Sequence, residues 1–286
     1  MRVESAVATA LAVALTAGCG QDNSPSQAET TGGPKSAETR ALEAGAALLQ
    51  GEGPLERFNV YLDGFHFANG RPTEQMEAHH FCQVLNQDFR QCVLFDGNGA
   101  DAKLVGIEYV VSRRVFEQLP RQERTLWHSH AYEVTSGQLI APGLPQAAEH
   151  ELMEQLAGTY GKTWHTWHSD RDATLPVGIP VLMAGFTGDD QVDPNLVQAR
   201  DQRFDIDTAE RRAQRNDIEA PGVLPGADAW QFGEPMQLML KPVVATSPAS
   251  RESEPDRDEA MPTPRRRSLE SRRRDAFADL DPLGHR

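Results

Sequence analysis

The stretch from Ala78 to Asp96 constrains the fold of this chain more than any other. It contains His79-His80-Phe81-Cys82-Gln83-Val84-Leu85, then Asn86-Gln87-Asp88, then Phe89-Arg90-Gln91-Cys92-Val93-Leu94-Phe95. Asn and Asp form turns because their side chains bond nearby backbone, and the flanking runs are rich in strand-forming residues. The segment predicts a β-hairpin, which commits the chain to an antiparallel sheet. A helix over Glu74 to Leu85 is the competing local structure. With Asn86-Gln87-Asp88 as a three-residue loop, Leu85 faces Phe89, and counting outward sets Cys82 opposite Cys92. Facing Cβ atoms lie about 4.5–5.5 Å apart, slightly more than the roughly 3.5–4.5 Å of a disulfide. A small adjustment would join them. The alternatives are two small buried apolar side chains or a pair of metal ligands.

Other segments fill in the class. Phe58 to Phe67, Lys103 to Val111, Glu133 to Ile140, Pro180 to Phe186 and Gln237 to Val244 read as strands. Ser112 offers an N-cap for a helix to Leu119, and Pro120 opens another running to Trp127. Pro145 opens a helix with Leu152, Leu156 and Tyr160 on one face, stopped at Tyr160-Gly161-Lys162. Pro194 starts a polar helix to Arg215. The mixture predicts one α+β domain over residues 55–246, with an antiparallel sheet and packed helices.

The two ends differ from this domain. Ala6 to Leu15 is an apolar run of ten residues, about half of what spans a bilayer and suited to a signal-peptide core. Leu15-Thr16-Ala17-Gly18-Cys19 follows, with small residues before the cysteine. Residues 1–19 are therefore expected to be a lipoprotein signal peptide acylated on Cys19, two or more acyl chains giving stable anchoring. An ordinary cleaved signal is the alternative. Gly20 rather than Asp follows the cysteine, which favours the outer membrane over the inner. Residues 20–54 are expected to be a flexible tether and a short helix over Ser36 to Gln50, ended by Gly51 and Pro54. In residues 247–286 the Arg265-Arg266-Arg267 and Arg272-Arg273-Arg274 runs suggest basic patches. From Ser250 to Arg286, however, nine Arg balance nine acidic residues, so the segment reads as a disordered charged tail.

The chain carries a net charge of −14. That excludes the basic footprint of a nucleic-acid partner. It also makes any membrane attachment hydrophobic or covalent.

Eight of the nine histidines precede residue 170. Neutral imidazole is the commonest metal ligand. On an extended chain His128 and His130 point the same way and can grip one ion. His79 or His80, with His165, could complete the site, so His79, His80, His128, His130 and His165 form the candidate ligand set for a divalent transition metal. The alternative is that these histidines hydrogen-bond within the core beside Trp127, Trp164 and Trp167. Glu77, Glu108 and Glu133 stand near the clusters in sequence and could orient a ring nitrogen or act as a base. No His-Glu-x-x-His motif, P-loop or Gly-x-Ser-x-Gly elbow is present.

Phe65-His66-Phe67-Ala68-Asn69-Gly70, Glu77-Ala78-His79-His80-Phe81-Cys82, Arg90-Gln91-Cys92, Leu104-Val105-Gly106-Ile107-Glu108-Tyr109, Leu126-Trp127-His128-Ser129-His130 and Thr159-Tyr160-Gly161-Lys162-Thr163-Trp164-His165 occur in this order. Together they resemble the oil body-associated protein family, over about Phe58 to Arg215. The resemblance implies a lipid-droplet or membrane-associated role and carries no agreed active-site residues. Two functions follow as expectations. One is a non-enzymatic envelope lipoprotein that binds lipid or another apolar ligand. The other is a metal-dependent hydrolase with the histidines as ligands and a glutamate as base.

Overall fold

The structure is a computed structural model, and it describes residues 23–51 and 53–243. Cys19 and the charged tail lie outside the described residues. The first helix, α1, covers Ala37–Gln50 and is capped by Ser36. A 3₁₀ turn follows at Gly53–Arg57.

Next come β1 (Val60–Ala68), β2 (Arg71–Asn86), β3 (Phe89–Phe95) and β4 (Leu104–Ser112). They form an antiparallel meander in which Cys82 pairs with Cys92. A disulfide joins the two cysteines. The hairpin closes on Gln87 and Asp88, with Asn86 opposite Phe89, and Leu85 is the extra residue of a bulge. That bulge takes the place of a three-residue loop and preserves the cysteine register. Replacing both cysteines by alanine frees a loop of ten residues. The expected cost is about 2–3 kcal/mol, measured as a lower urea midpoint.

Two one-turn helices follow, α2 (Arg113–Phe116) and α3 (Arg121–Arg124), then β5 (His128–Ser129), α4 (Ala131–Thr135), α5 (Gln146–Leu156), β6 (Thr159–His165), β7 (Val181–Ala184), α6 (Pro194–Phe204), α7 (Thr208–Gln214) and β8 (Pro225–Asp228). The sheet runs β4-β3-β2-β1-β7-β6-β5, and β4 also pairs with β6 over seven residues. That pairing closes six strands into a barrel, which removes the open edges of the sheet. The α+β class stands, and the sheet is wrapped rather than open.

Strand alternation sorts the side chains. Leu62, Ala78, Cys82, Cys92, Leu94 and Val110 face inward and share a core with Val134 of α4 and with Met153 and Leu156 of α5. Phe65 and Phe67 face outward and pack with Phe186 against Leu196 and Val197 of α6.

Several expected elements change. Glu133 to Ile140 is not a strand. Ala131–Thr135 is helical, Gly137 turns at φ 81°, and Ile140 makes an isolated bridge to Asp63. Tyr160 does not continue α5. The helix ends at Leu156, and Thr159–His165 is drawn into the sheet by pairing with β4. The expected helix from Pro194 to Arg215 is two helices, parted where Asp205 adopts a left-handed backbone and Asp207 caps the second. Residues 237–243 are not a strand. The Gln237 side chain bonds the Leu182 and Asn69 backbone instead, flanked by Pro235 and Pro242, which have no N–H for a ladder. Within the segment read as a tether, Ser24 and Ala28 are buried. Among the described residues no helix is long and apolar enough to cross a membrane.

Candidate metal centre inside the barrel

Glu108 is the hub of the barrel interior. It lies on β4, is 3% exposed, and faces inward because its neighbours Ile107 and Tyr109 face out. The Nε2 atoms of three histidines converge on its carboxylate. His80 of β2 lies 3.0 Å from Oε2, and His130 and His128 lie 3.2 and 3.5 Å from Oε1.

The other ring nitrogens decide what these contacts mean. His80 Nδ1–H donates to the Ala78 carbonyl at 3.0 Å. A carbonyl only accepts, so the proton must sit on Nδ1. The Thr159 hydroxyl donates to the Leu156 carbonyl and accepts from His130 Nδ1–H at 2.7 Å. Both neutral rings therefore aim an Nε2 lone pair at a carboxylate oxygen. Lone pair against lone pair is repulsive unless a positive charge stands between them. That charge is either a proton on each ring or a metal ion. Locking Nδ1–H on a backbone or hydroxyl acceptor is how proteins orient metal-bound histidines.

Two groups of donor atoms lie within 4.8 Å of one another, His66–Glu108–His128 and His128–His130–Glu133. They share His128, whose two ring nitrogens are buried without a hydrogen-bond partner. An ion held at about 2.0–2.2 Å from each ligand needs these atoms to move inward by only a fraction of that distance. A cavity of about 20 Å³ lies between His66, His80, Glu108, His130 and Glu133, walled by Leu62, Val110 and Leu139. That is room for about one water molecule.

Two glycines make the space. A Cβ at Gly161 would stand 2.0 Å from Glu108 Oε1 and 2.8 Å from His128 Nε2. One at Gly185 would stand 2.8 Å from the Glu133 carboxyl carbon.

Burial sets the charges. It pushes the His128 imidazole down to about 3 and the His66 imidazole well below its ordinary range. Burial, then the Glu108 and Asp228 charges, hold the Glu133 carboxyl well above its ordinary range. Burial works against ionisation of Glu108, but where protons bridge it to His130 and His80 their hydrogen bonds overcome burial and hold that carboxyl well below its usual value. The cluster therefore sets a carboxylate beside the burial-neutralised imidazoles of His66 and His128, and carboxylate with imidazole is the donor set of zinc, iron, nickel and copper sites.

Of the expected ligand set, the barrel brings His80, His128 and His130 together on Glu108. His165 stands one step back, its Nε2 3.4 Å from His66 Nδ1 and its Nδ1 2.9 Å from the Met76 sulfur. His79 is not part of the cluster. Adjacent strand residues point to opposite faces, so His79 lies outside the barrel, 3.0 Å from Asp63 Oδ2 and 2.8 Å from the Tyr61 hydroxyl. Sequence reasoning missed His66 as a ligand. The signal was available, because Leu62, Gly64 and His66 share the inward alternation of β1. Ser129, between the two histidines, instead donates to Asp228 Oδ2 at 2.7 Å.

Burial first, then the charges of His168 and His80, push the His165 imidazole down to about 3. A ring held neutral in the fold contributes stability that is present above pH 6.5 and lost as pH falls from 6.5 toward about 3. The difference in stability between the wild type and His165→Gln should shrink by about 1.4 kcal/mol per pH unit below pH 6, read from urea curves at pH 7 and pH 5.

The family model described as "Protein of unknown function (DUF1264)" matches residues 52–219. Oil body-associated protein 2A of Zea mays is 41% identical over 203 residues, covering 70% of this chain and 81% of that one. Oil body-associated protein 1A of Zea mays is 40% identical, over 72% of this chain and 87% of its own length. The chain belongs to the oil body-associated protein family. Oil body-associated protein 1B of Arabidopsis thaliana is 36% identical over the same share of this chain. No solved structure matches it. The matched residues include every strand of the barrel and every residue of the histidine cluster.

Proposed function

We propose that this member of the oil body-associated protein family is a metal-binding protein, with a divalent transition ion in the barrel on Glu108, His80, His128 and His130. His66 and Glu133 complete the surroundings. The observation that carries this reading is the pair of Nε2 lone pairs, on His80 and His130, aimed at one buried carboxylate. Magnesium and calcium prefer all-oxygen sites, so the imidazoles favour a first-row transition metal. The enclosed cavity has room for about one water-sized group. It supports a held ion over a hydrolase that must admit a large substrate.

The test is elemental analysis of the protein purified without a histidine tag. A stoichiometric transition metal, absent from the His128→Ala/His130→Ala double variant, is the expected result. A folded wild type that holds no metal and does not take up added zinc would leave imidazolium rings as the charge between the lone pairs, and the reading would fall.

The second reading concerns place. The relatives are named for oil bodies, and Leu15 to Cys19 resembles a lipoprotein box. On this reading the chain is exported, acylated on Cys19 and held at the outer membrane, where it associates with lipid. Labelled palmitate should enter the wild type and not Cys19→Ser. Equal labelling of both would remove the anchor.

A further inference from the structure

The segment just after Cys19 is fastened to the domain. Ser24 N–H donates to Asn98 Oδ1 at 2.9 Å, and Asn98 N–H donates back to the Ser24 carbonyl at 2.8 Å. Asn23 Nδ2 donates to the Arg203 carbonyl at 2.6 Å, and the Ser26 hydroxyl to Asp96 Oδ2 at 2.8 Å. The Ser24 hydroxyl meets His79 Nε2 at 3.2 Å, and Thr31 N–H reaches the Thr174 carbonyl at 3.1 Å. Four points of attachment in four residues, with Ser24 6% exposed, do not describe a free linker. Gly97 is shaped for this contact. A Cβ there would stand 2.2 Å from the Ser24 carbonyl oxygen and 3.1 Å from Pro25 C and Ser26 N.

The fastening limits reach. From Cys19 to Asn23 there are four steps, and at about 3.3–3.6 Å each they span roughly 14 Å at most. A long tether would let the domain turn freely above a membrane. Three intervening residues keep Asn23 within that distance of the anchor. Asn23 also lines a cavity of about 400 Å³ in which Pro142, Leu144 and Phe204 stand beside the charged Glu149, Asp205 and Arg211. Leu144 is 44% exposed there.

We infer that residues 23–31 form a strap that holds the face carrying Pro142, Gly143 and Leu144 against a lipid bilayer. The inference rests on acylation of Cys19, and its partner is the surface of the membrane that takes the anchor. The strap sets distance and orientation, and the acyl chains supply the affinity.

Hydrogen exchange on the full chain tests both halves. In solution, with Cys19→Ser, the amides of Ser24 and Ala28 should be protected. Gly97→Ala, whose new methyl meets only strap atoms among its nearest neighbours, should speed their exchange roughly tenfold or more. Ser26→Ala removes the Asp96 bond without adding bulk and should act the same way more weakly. Unprotected amides in the parent protein, or rates unchanged in both variants, would overturn the strap. On vesicles of phosphatidylethanolamine and phosphatidylglycerol, the amides of Gly143, Leu144 and Gln146 of the acylated chain should exchange more slowly than in solution. Gly97→Ala should lose that protection while staying bound. Equal rates in solution and on vesicles would overturn the membrane face. An intact mass lacking acyl chains would remove the anchor and the membrane half together, and the solution experiment would still judge the strap.

Discussion

Glu108→Ala is expected to abolish metal uptake and to destabilise the protein by about 3–5 kcal/mol. The carboxylate is the acceptor on which His80, His128 and His130 converge, and it is 3% exposed. Its removal leaves a void beside Gly161 and sets three imidazoles together with no counter-charge. Glu133 is a poor replacement counter-charge, because burial pushes its carboxyl well above its ordinary range. Metal uptake should be read by elemental analysis and stability by urea denaturation of the metal-free protein. Glu108→Gln keeps the volume and separates the two effects. It should bind metal poorly while recovering part of the stability, since an amide oxygen still accepts a hydrogen bond. A Glu108→Ala protein that retains a full complement of metal would place the ion elsewhere. Where the wild type does bind, added metal at about a thousand times its Kd should raise stability by about 4 kcal/mol, and the alanine variant should show no such rise.

Arg200→Met should cost a similar amount, about 3–5 kcal/mol, for a different reason. Arg200 is fully buried on α6. Its guanidinium bonds Asp63 Oδ1 at 3.2 Å, the Gln138 carbonyl at 2.9 Å and the Thr208 hydroxyl at 2.9 Å, and it lies over the Phe65 ring. Methionine keeps most of the apolar contact and removes the charge, leaving Asp63 buried with His79 as its remaining cation. Burial alone would push the Asp63 carboxyl up. The hydrogen bond and charge of His79, then Arg200, overcome it and hold that carboxyl below its ordinary range. A carboxyl held down contributes stability above its unfolded value that is lost as pH falls through its folded value. The gap between Arg200→Met and wild type should therefore narrow in acid. For a domain of this size the loss at neutral pH corresponds to roughly 10 °C in Tm. Metal uptake should survive, because Arg200 serves the outer face of the barrel. A variant as stable as the wild type would show that His79 alone compensates Asp63.

Local chemistry carried much of the fold in advance. Asn86 to Asp88 marked the turn, Ser112 the cap of α2, and Pro194 the start of α6, each through a backbone preference that acts within a few residues. Even with Leu85 bulged, hairpin counting placed Cys82 on Cys92, because one bulged residue and a two-residue turn advance the register as far as a three-residue loop does. Long-range pairing was not legible. Tyr160-Gly161-Lys162 has the local chemistry of a helix stop, yet Thr159 to His165 pairs with β4 about fifty residues away. Nothing near Tyr160 announces that partner.

The candidate site divides the same way. His128 and His130 share a face by alternation alone, and the sequence by itself determined that pair. It also determined that only one of His79 and His80 could join them, since neighbours on a strand point apart. Which one joins was decided by barrel closure, through the β4–β6 pairing. That closure turned His80 inward to Glu108 and left His79 outside with Asp63. His66 lies on β1 and Glu108 on β4, strands that do not pair with each other. Only the tertiary structure makes them neighbours, because a closed sheet brings every second residue of each strand toward one axis.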